Sequence, residues 1–436
     1  MDLWIRGGLV CTPAALAPLD VGVCDGRFAV LAPPGSAPPD APTLDAEGCV
    51  VLPGLVDAHV HFREPGLSHK EDWLAASTAA VAGGVTSVLD MPNVLPPTAT
   101  ATALEAKAGS VAGRSRCHYG FYGLLAAVNL DQIDALAAAG AIGLKLFLGE
   151  TTASLPAPDD GALLEALRVA GARGLRTMVH AENGDLLAAA ARRAAGIDGL
   201  DAHLAARPAL AEVEAVTRIC LLAAAAGAPV AIAHLSAAGA VLAVRRAKAD
   251  GIDVRGEACP HHLLLTHAQA AHLGSLAKVN PPLRTEADQA ALWAGIADGT
   301  IDEIGSDHAP HATSEKAADV PVAPAGFAGV QLILPALYGR LGPRRLVGLC
   351  AEGPARSWGL WPAKGRIAPG ADADLVVVRP GAPSQPVRQW SRHPDGPVLR
   401  LCPPTAEVVA TLVDGRPAWL HGAPQGAPAG RWLRRP

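Results

Sequence analysis

From about Gly54 onward, short apolar runs alternate with alanine-rich stretches of helical length, and this alternation restricts the fold more than any other feature of the chain. Residues 56–60, 87–90, 118–124, 142–147, 177–180, 230–234, 253–258 and 303–306 read as strands. Helical stretches such as 73–82, 161–172, 211–226 and 237–250 lie between them. Strands alternating with helices imply a parallel sheet, and eight repeats predict an α/β fold of the TIM type, a (β/α)8 barrel.

The two ends have a different texture. Residues 3–5, 21–23, 28–31 and 49–52 read as short strands between Gly and Pro turns, and the pattern returns at 373–378 and 408–413. A chain of 436 residues also exceeds one ordinary core. Both ends are therefore expected to pair into one small β-sandwich domain. Residues 1–52 would form its first part, 53–364 the catalytic barrel, and 365–436 the second part with a tail. The Pro-rich stretch 380–404 reads as an irregular connection and 422–436 as a loose tail.

Composition excludes several functions. A net charge of −5 leaves no broad basic surface, so neither nucleic acid nor an anionic membrane is an expected partner. Apolar runs such as 219–226 are far too short to span a bilayer. The N-terminus lacks a basic stretch followed by a long apolar one, so no signal peptide is expected. The eight cysteines are scattered without a C-x-x-C pair, which argues against a disulfide framework or a cysteine zinc site. A cytoplasmic enzyme with a small-molecule substrate fits this composition.

The chemistry is concentrated at strand ends. In Asp57-Ala58-His59-Val60-His61, residues two apart point to the same side of a strand, so His59 and His61 project together. They do so where barrel enzymes place their active sites, and two imidazoles on one side suit zinc. Alone, the pair is also what a solvated strand edge would carry. His180 and His234 end two further apolar strands, and Asp307 follows another. One histidine at a strand end is usually a hydrogen-bonded core residue, but three metal-type residues at the same end of other strands favour a metal centre. Lys145 lies in the strand-like run Gly143-Leu144-Lys145-Leu146-Phe147 of a lysine-poor chain. An unpaired ammonium inside a barrel is costly and would repel two metal ions. Carboxylation by CO₂ would turn it into an anionic bridge; the alternative is a lysine snorkelling to the rim.

These residues resemble the cyclic amidohydrolases, a group that includes dihydroorotase, allantoinase and hydantoinase. The likeness runs from about Pro53 to Lys316, with weaker support from the segment 365–375. It implies two zinc ions bridged by carboxylated Lys145, with His59, His61, His180, His234 and Asp307 as the other ligands. Within the group, His61-Phe62-Arg63-Glu64-Pro65-Gly66, Met91-Pro92-Asn93 and Ser306-Asp307-His308-Ala309-Pro310-His311 look like the dihydroorotase motifs. That form is closest to the lysine-bridged type found in the animal multifunctional pyrimidine enzyme. It implies that Arg63, Asn93 and His311 hold a substrate carboxylate, with Asn280 and Thr151 as further substrate contacts. It implies that Asp307 carries the proton, and that the reaction is reversible cyclisation of N-carbamoyl-L-aspartate to L-dihydroorotate in pyrimidine biosynthesis. A homodimer, and association with aspartate transcarbamoylase, would accompany that role. Two departures stand out: Thr152 occupies a position where phenylalanine is usual, and Gln331 one where glutamate is usual. The rivals are an allantoinase or hydantoinase with the same metals, and a non-catalytic dihydroorotase-like scaffold subunit. The complete ligand set argues against the scaffold, and Arg63 with Asn93 against the other cyclic amidases.

Overall fold

The computed structural model describes residues 1–149 and 155–435. Eight parallel strands follow one another in sheet order: β1 (Leu55–Val60), β2 (Val85–Asp90), β3 (His118–Leu125), β4 (Gly143–Phe147), β5 (Thr177–His180), β6 (Val230–Ile232), β7 (Val254–Ala258) and β8 (Glu303–Ile304). A parallel bridge between Val60 and His308 joins the two edges, with the His61 N–H donating to the His308 carbonyl at 2.7 Å. The expected barrel is therefore present. Its strands are buried almost throughout because helices cover one face and the barrel interior the other. Strands β6 and β8 stop two residues short of their predicted ends. Beyond them His234 (φ 38°) and Asp307 (φ 47°) take left-handed backbone, which leaves the ladder and turns each side chain toward the mouth.

Trp358 fills the barrel's closed end. It is fully buried, packs edge-on against Tyr122 at 4.9 Å, and donates its indole N–H to Glu303 Oε1 at 3.1 Å. Gly143 is required beside it, since a Cβ there would stand 2.7 Å from the indole. Replacing Trp358 with Ala removes this packing and leaves Glu303 without the indole donor. The variant is expected to lose about 3–5 kcal/mol of stability, read from a denaturant unfolding midpoint. A loss below about 1 kcal/mol would show that the barrel floor closes without the indole.

The chain ends pack together as two facing sheets. One has the order Arg27–Ala32, Asp20–Cys24, Leu3–Arg6, Thr43–Asp45. The other contains Leu16–Pro18, Leu9–Cys11, Val50–Pro53, Leu375–Pro380, Ala406–Val413, Arg416–Leu420 and Ala423–Pro424. Leu375 pairs with Pro53 and Val378 with Val50, so the C-terminal strand lies directly on the N-terminal one. Ile5, Val21, Phe28, Val51, Val377 and Leu412 form the apolar layer between the sheets. The segment 381–405 is irregular apart from the short helix Pro397–Leu401.

The tail corrects its sequence reading. Rather than hanging loose, it runs beside β3: the Tyr119 N–H donates to the Arg431 carbonyl and the Leu433 N–H to the Tyr119 carbonyl. Leu433 is buried among the barrel's interior residues. Gly430 permits the approach, since a Cβ there would stand 1.9 Å from the Cys117 carbonyl oxygen. Among the described residues, no helix is long and apolar enough to cross a membrane.

Candidate active site

His59, His61, Lys145, His180, His234 and Asp307 line one cavity at the C-terminal mouth of the barrel. His59 and His61 bring their Nε2 atoms to 3.4 and 3.3 Å from Asp307 Oδ1. Burial, reinforced by Lys145, pushes the His59 imidazole down to about 3. Burial likewise pushes His61 down to about 4. Both rings are thus neutral near pH 7, the form that offers a lone pair to a metal. Burial alone would raise the Asp307 carboxyl, but His59 and His61 hold it well below its usual range.

The ligand side chains are themselves held. Glu257 Oε1, at the end of β7, lies 2.7 Å from His59 Nδ1 and accepts the His234 backbone N–H at 2.9 Å. Asp57 Oδ1 accepts the backbone N–H groups of His59 and Ser306. Asn93 Oδ1 is 2.9 Å from His61 Nδ1. Glu182 Oε2 is 2.9 Å from His180 Nε2 and 2.7 Å from Arg207 Nη2. Such partners orient imidazoles around a metal. Gly305 lets β8 approach them, because a Cβ there would stand 2.5 Å from Glu257 Oε2.

Whether these residues fit a metal pair is tested by their buried donors. His59, His61 and Asp307 present ligand atoms within 4.8 Å of one another. His180 Nδ1 and His234 Nε2 converge to 3.0 Å. Lys145 Nζ is fully buried and finds no hydrogen-bond partner among the described residues, only the Phe147 ring face at 5.1 Å. Burial pushes this amine down from its usual range. Imidazoles, a carboxylate and an orphaned amine in one cavity fit a binuclear centre better than they fit a core, where each would carry a desolvation cost.

The residues singled out for substrate are dispersed differently. Arg63, Asn93 and Asn280 line the same cavity. Arg63 is buried at φ 66° and pairs with neither Glu64 nor Glu71. Its Nε donates to the Pro310 carbonyl at 3.1 Å, and its Nη2 lies 3.2 Å from His311 Nε2. His311 stands behind Arg63 and is fully engaged, with Lys70 Nζ 3.0 Å from Nδ1 and the Ala325 carbonyl 3.0 Å from Nε2. Thr151 and Thr152 lie outside the described residues. Pro260-His261-His262 begins the short helix Pro260–Leu264, and His262 Nε2 donates to the Pro281 carbonyl. Gln331 anchors the irregular segment, donating to the Arg388 carbonyl and accepting the Trp390 N–H. Sequence reasoning missed Phe147, Val279, Ala309, Ala325 and Gly326, which also line the cavity. It also missed Glu182, although His180-Ala181-Glu182 repeats the two-residue spacing that revealed His59 and His61.

Residues 50–418 match the model of the amidohydrolase family. The chain belongs to this family. Membership makes the protein an enzyme, a metal-dependent amide hydrolase. An allantoinase from Deinococcus radiodurans is 38% identical, the match covering 100% of this chain and 99% of that protein. An allantoinase from Escherichia coli is 34% identical over 87% of this chain and 86% of its own length. The solved structure of L-hydantoinase from Arthrobacter aurescens superposes with a TM-score of 0.94 at 30% identity, covering 100% of both chains.

These findings overturn the assignment as a dihydroorotase of pyrimidine biosynthesis, and they lend no support to the expected association with aspartate transcarbamoylase. The geometry shows why these motifs do not by themselves decide the substrate. The motif Arg63 and His311 spend hydrogen bonds on each other, on Pro310 and on Ala325, so they build the corner of the mouth. Short motifs carried the substrate reading, and the same residues serve a corner that a different ring can occupy.

Proposed function

We propose that this amidohydrolase opens the ring amide of a five-membered cyclic ureide, with allantoin as the first candidate and simple hydantoins as the second. The observation that carries the reading is likeness along the whole chain to relatives named allantoinase, joined to a mouth containing a complete donor set. His59, His61, Asp307, His180 and His234 would hold two divalent ions, zinc being the proposed metal, with carboxylated Lys145 between them. Carboxylation forms an N–C bond between Nζ and CO₂; starting from the ammonium it releases two protons, one to free the amine and one as the N–C bond forms, and so replaces an orphaned cation with an anion. Bound metals would supply Lewis acidity toward the amide carbonyl and a nucleophile at neutral pH.

The chain's own residues do the rest. The oxygen of the attacking water joins the amide carbon, and the ring C–N bond breaks. Asp307, kept ionised beside His59 and His61, takes the water's proton on a carboxylate oxygen and passes it to the leaving ring nitrogen. Arg63 and Asn280 offer polar groups to the ring's carbonyls and N–H groups. Glu257 and Asn93 hold His59 and His61 in register.

The test is kcat/KM of the metal-loaded enzyme for allantoin, hydantoin and dihydroorotate. Allantoin is expected to lead, and preference for dihydroorotate would overturn the proposal. Because Arg63 faces a neutral ring here and only the donor is charged, Arg63→Ala is expected to cost about tenfold, corresponding to about 1.5 kcal/mol, the lower end of the range for a hydrogen bond that involves a charged group. A hundredfold loss confined to anionic rings would indicate a carboxylate pocket instead.

A further inference from the structure

Cys259-Pro260-His261-His262 contributes no ligand to the mouth, yet it gathers ligand-type side chains just beyond β7. Cys259 caps the short helix Pro260–Leu264, whose first turn carries both histidines. One ligand atom from each of Cys259, His261 and His262 lies within 4.8 Å of the others. The three residues are 0%, 1% and 3% exposed.

Two of the ring nitrogens have nothing to bond. His262 Nε2 lies 3.1 Å from the Pro281 carbonyl. A carbonyl only accepts, so the ring's proton is on Nε2 and its lone pair on Nδ1. That Nδ1 is buried without a hydrogen-bond partner among the described residues, and so is His261 Nε2. Burial, reinforced in His261 by His262, holds both rings below their usual range. Each ring is then neutral near pH 7 and keeps one lone pair. Cys259 is a buried free thiol. As core residues, the two nitrogens would each cost about 1–3 kcal/mol, the penalty for a buried polar atom left unpaired. As ligands, both lone pairs are used. Around a tetrahedral zinc, a sulfur at about 2.3 Å and nitrogens at about 2.0–2.1 Å stand about 3.3–3.6 Å apart. Closing from 4.8 Å takes side-chain shifts of about 1–1.5 Å at most.

We propose that Cys259, His261 and His262 bind a third ion of the zinc class, beside the mouth and separate from the pair proposed there. One thiolate with two imidazoles suits that class and needs no C-x-x-C pair. The thiol proton leaves as the metal–sulfur bond forms. The ion would brace one wall of the mouth. His262 holds the Pro281 carbonyl next to the cavity-lining Asn280, and His261 packs edge-on against Phe327 at 5.1 Å, next to the cavity-lining Gly326. No ligand is shared with the mouth, so the proposal stands whichever ring the enzyme opens.

Cobalt tests it, because a thiolate bound to Co²⁺ gives an intense near-ultraviolet charge-transfer band that imidazole and carboxylate ligands do not. Full-length metal-free protein loaded with Co²⁺ alone is expected to show this band. Cys259→Ala is expected to lose it and to carry one fewer ion per chain. Lys145→Ala, which disables the mouth, should keep the band, so failure of the mouth and failure of this site are read separately. Cys24→Ala should also keep it, Cys24 belonging to the largely exposed group Asp2, Cys24 and Asp25. Should Cys259→Ala fail to fold, His262→Gln serves, with the same losses expected and an unchanged band counting against the site. No band in wild type, a band that survives in Cys259→Ala, or equal cobalt content in the two proteins would overturn the proposal.

Discussion

Asp307→Asn is expected to lower kcat by about 10²–10⁴-fold while the protein stays folded, which is the range that positioned proton transfer supplies. The substitution preserves the shape of the side chain and one oxygen facing His59 and His61. It removes the ability to take a proton at neutral pH. Asp307 sits at φ 47°, a conformation asparagine also tolerates, so backbone strain does not add to the effect. Metal content is measured in the same preparation, because a lost ligand and a lost proton carrier both slow the enzyme. A variant carrying the wild-type metal complement but turning over slowly isolates the proton role. The same complement with near-wild-type turnover would remove Asp307 from the chemistry.

The parts of this enzyme that were legible in the sequence are those set by local pattern. Repeated strand and helix alternation is a property of consecutive residues, and it predicts the barrel because only a few topologies accept it. His59, His180 and His234 were recognisable because ligand-type residues close apolar strands at the end where barrels carry chemistry. Arg63 shows where this stops. Its side chain is directed by a left-handed backbone and by the Pro310 carbonyl, 247 residues away in the chain. Neither condition is visible in His61-Phe62-Arg63-Glu64-Pro65-Gly66, so the motif named the residue without its partners. The tail failed for a related reason. Leu433 becomes core only because Gly430 lets the chain approach Cys117, a contact more than 300 residues apart in sequence. Three short strands, Leu9–Cys11, Leu16–Pro18 and Thr43–Asp45, left too little pattern to read and are held by their neighbours in the sandwich.

Lys145→Ala is expected to abolish binuclear metal binding and to cost on the order of 10³-fold or more in kcat. Losing the proposed bridge would remove Lewis-acid stabilisation of several kcal/mol, and each 1.4 kcal/mol is about tenfold. Compared as metal-free proteins, the variant should be as stable as wild type or more so. The Lys145 ammonium has no hydrogen-bond partner among the described residues, so its removal relieves a desolvation cost that the metals and a carboxylate otherwise offset. The combination distinguishes a ligand from a structural residue, whose loss would lower stability and activity together. Short carboxylic acids should partly restore metal content and turnover in Lys145→Ala, because the truncated side chain leaves space for a carboxylate where the bridge stood. They should not rescue Lys145→Met, whose side chain fills that space without an oxygen. Wild-type enzyme prepared under ¹³CO₂ should carry one labelled carbamate, lost on denaturation as the amine returns to water. A bare ammonium in the metal-loaded enzyme, or two metals retained in Lys145→Ala without added acid, would place the bridge elsewhere in the mouth.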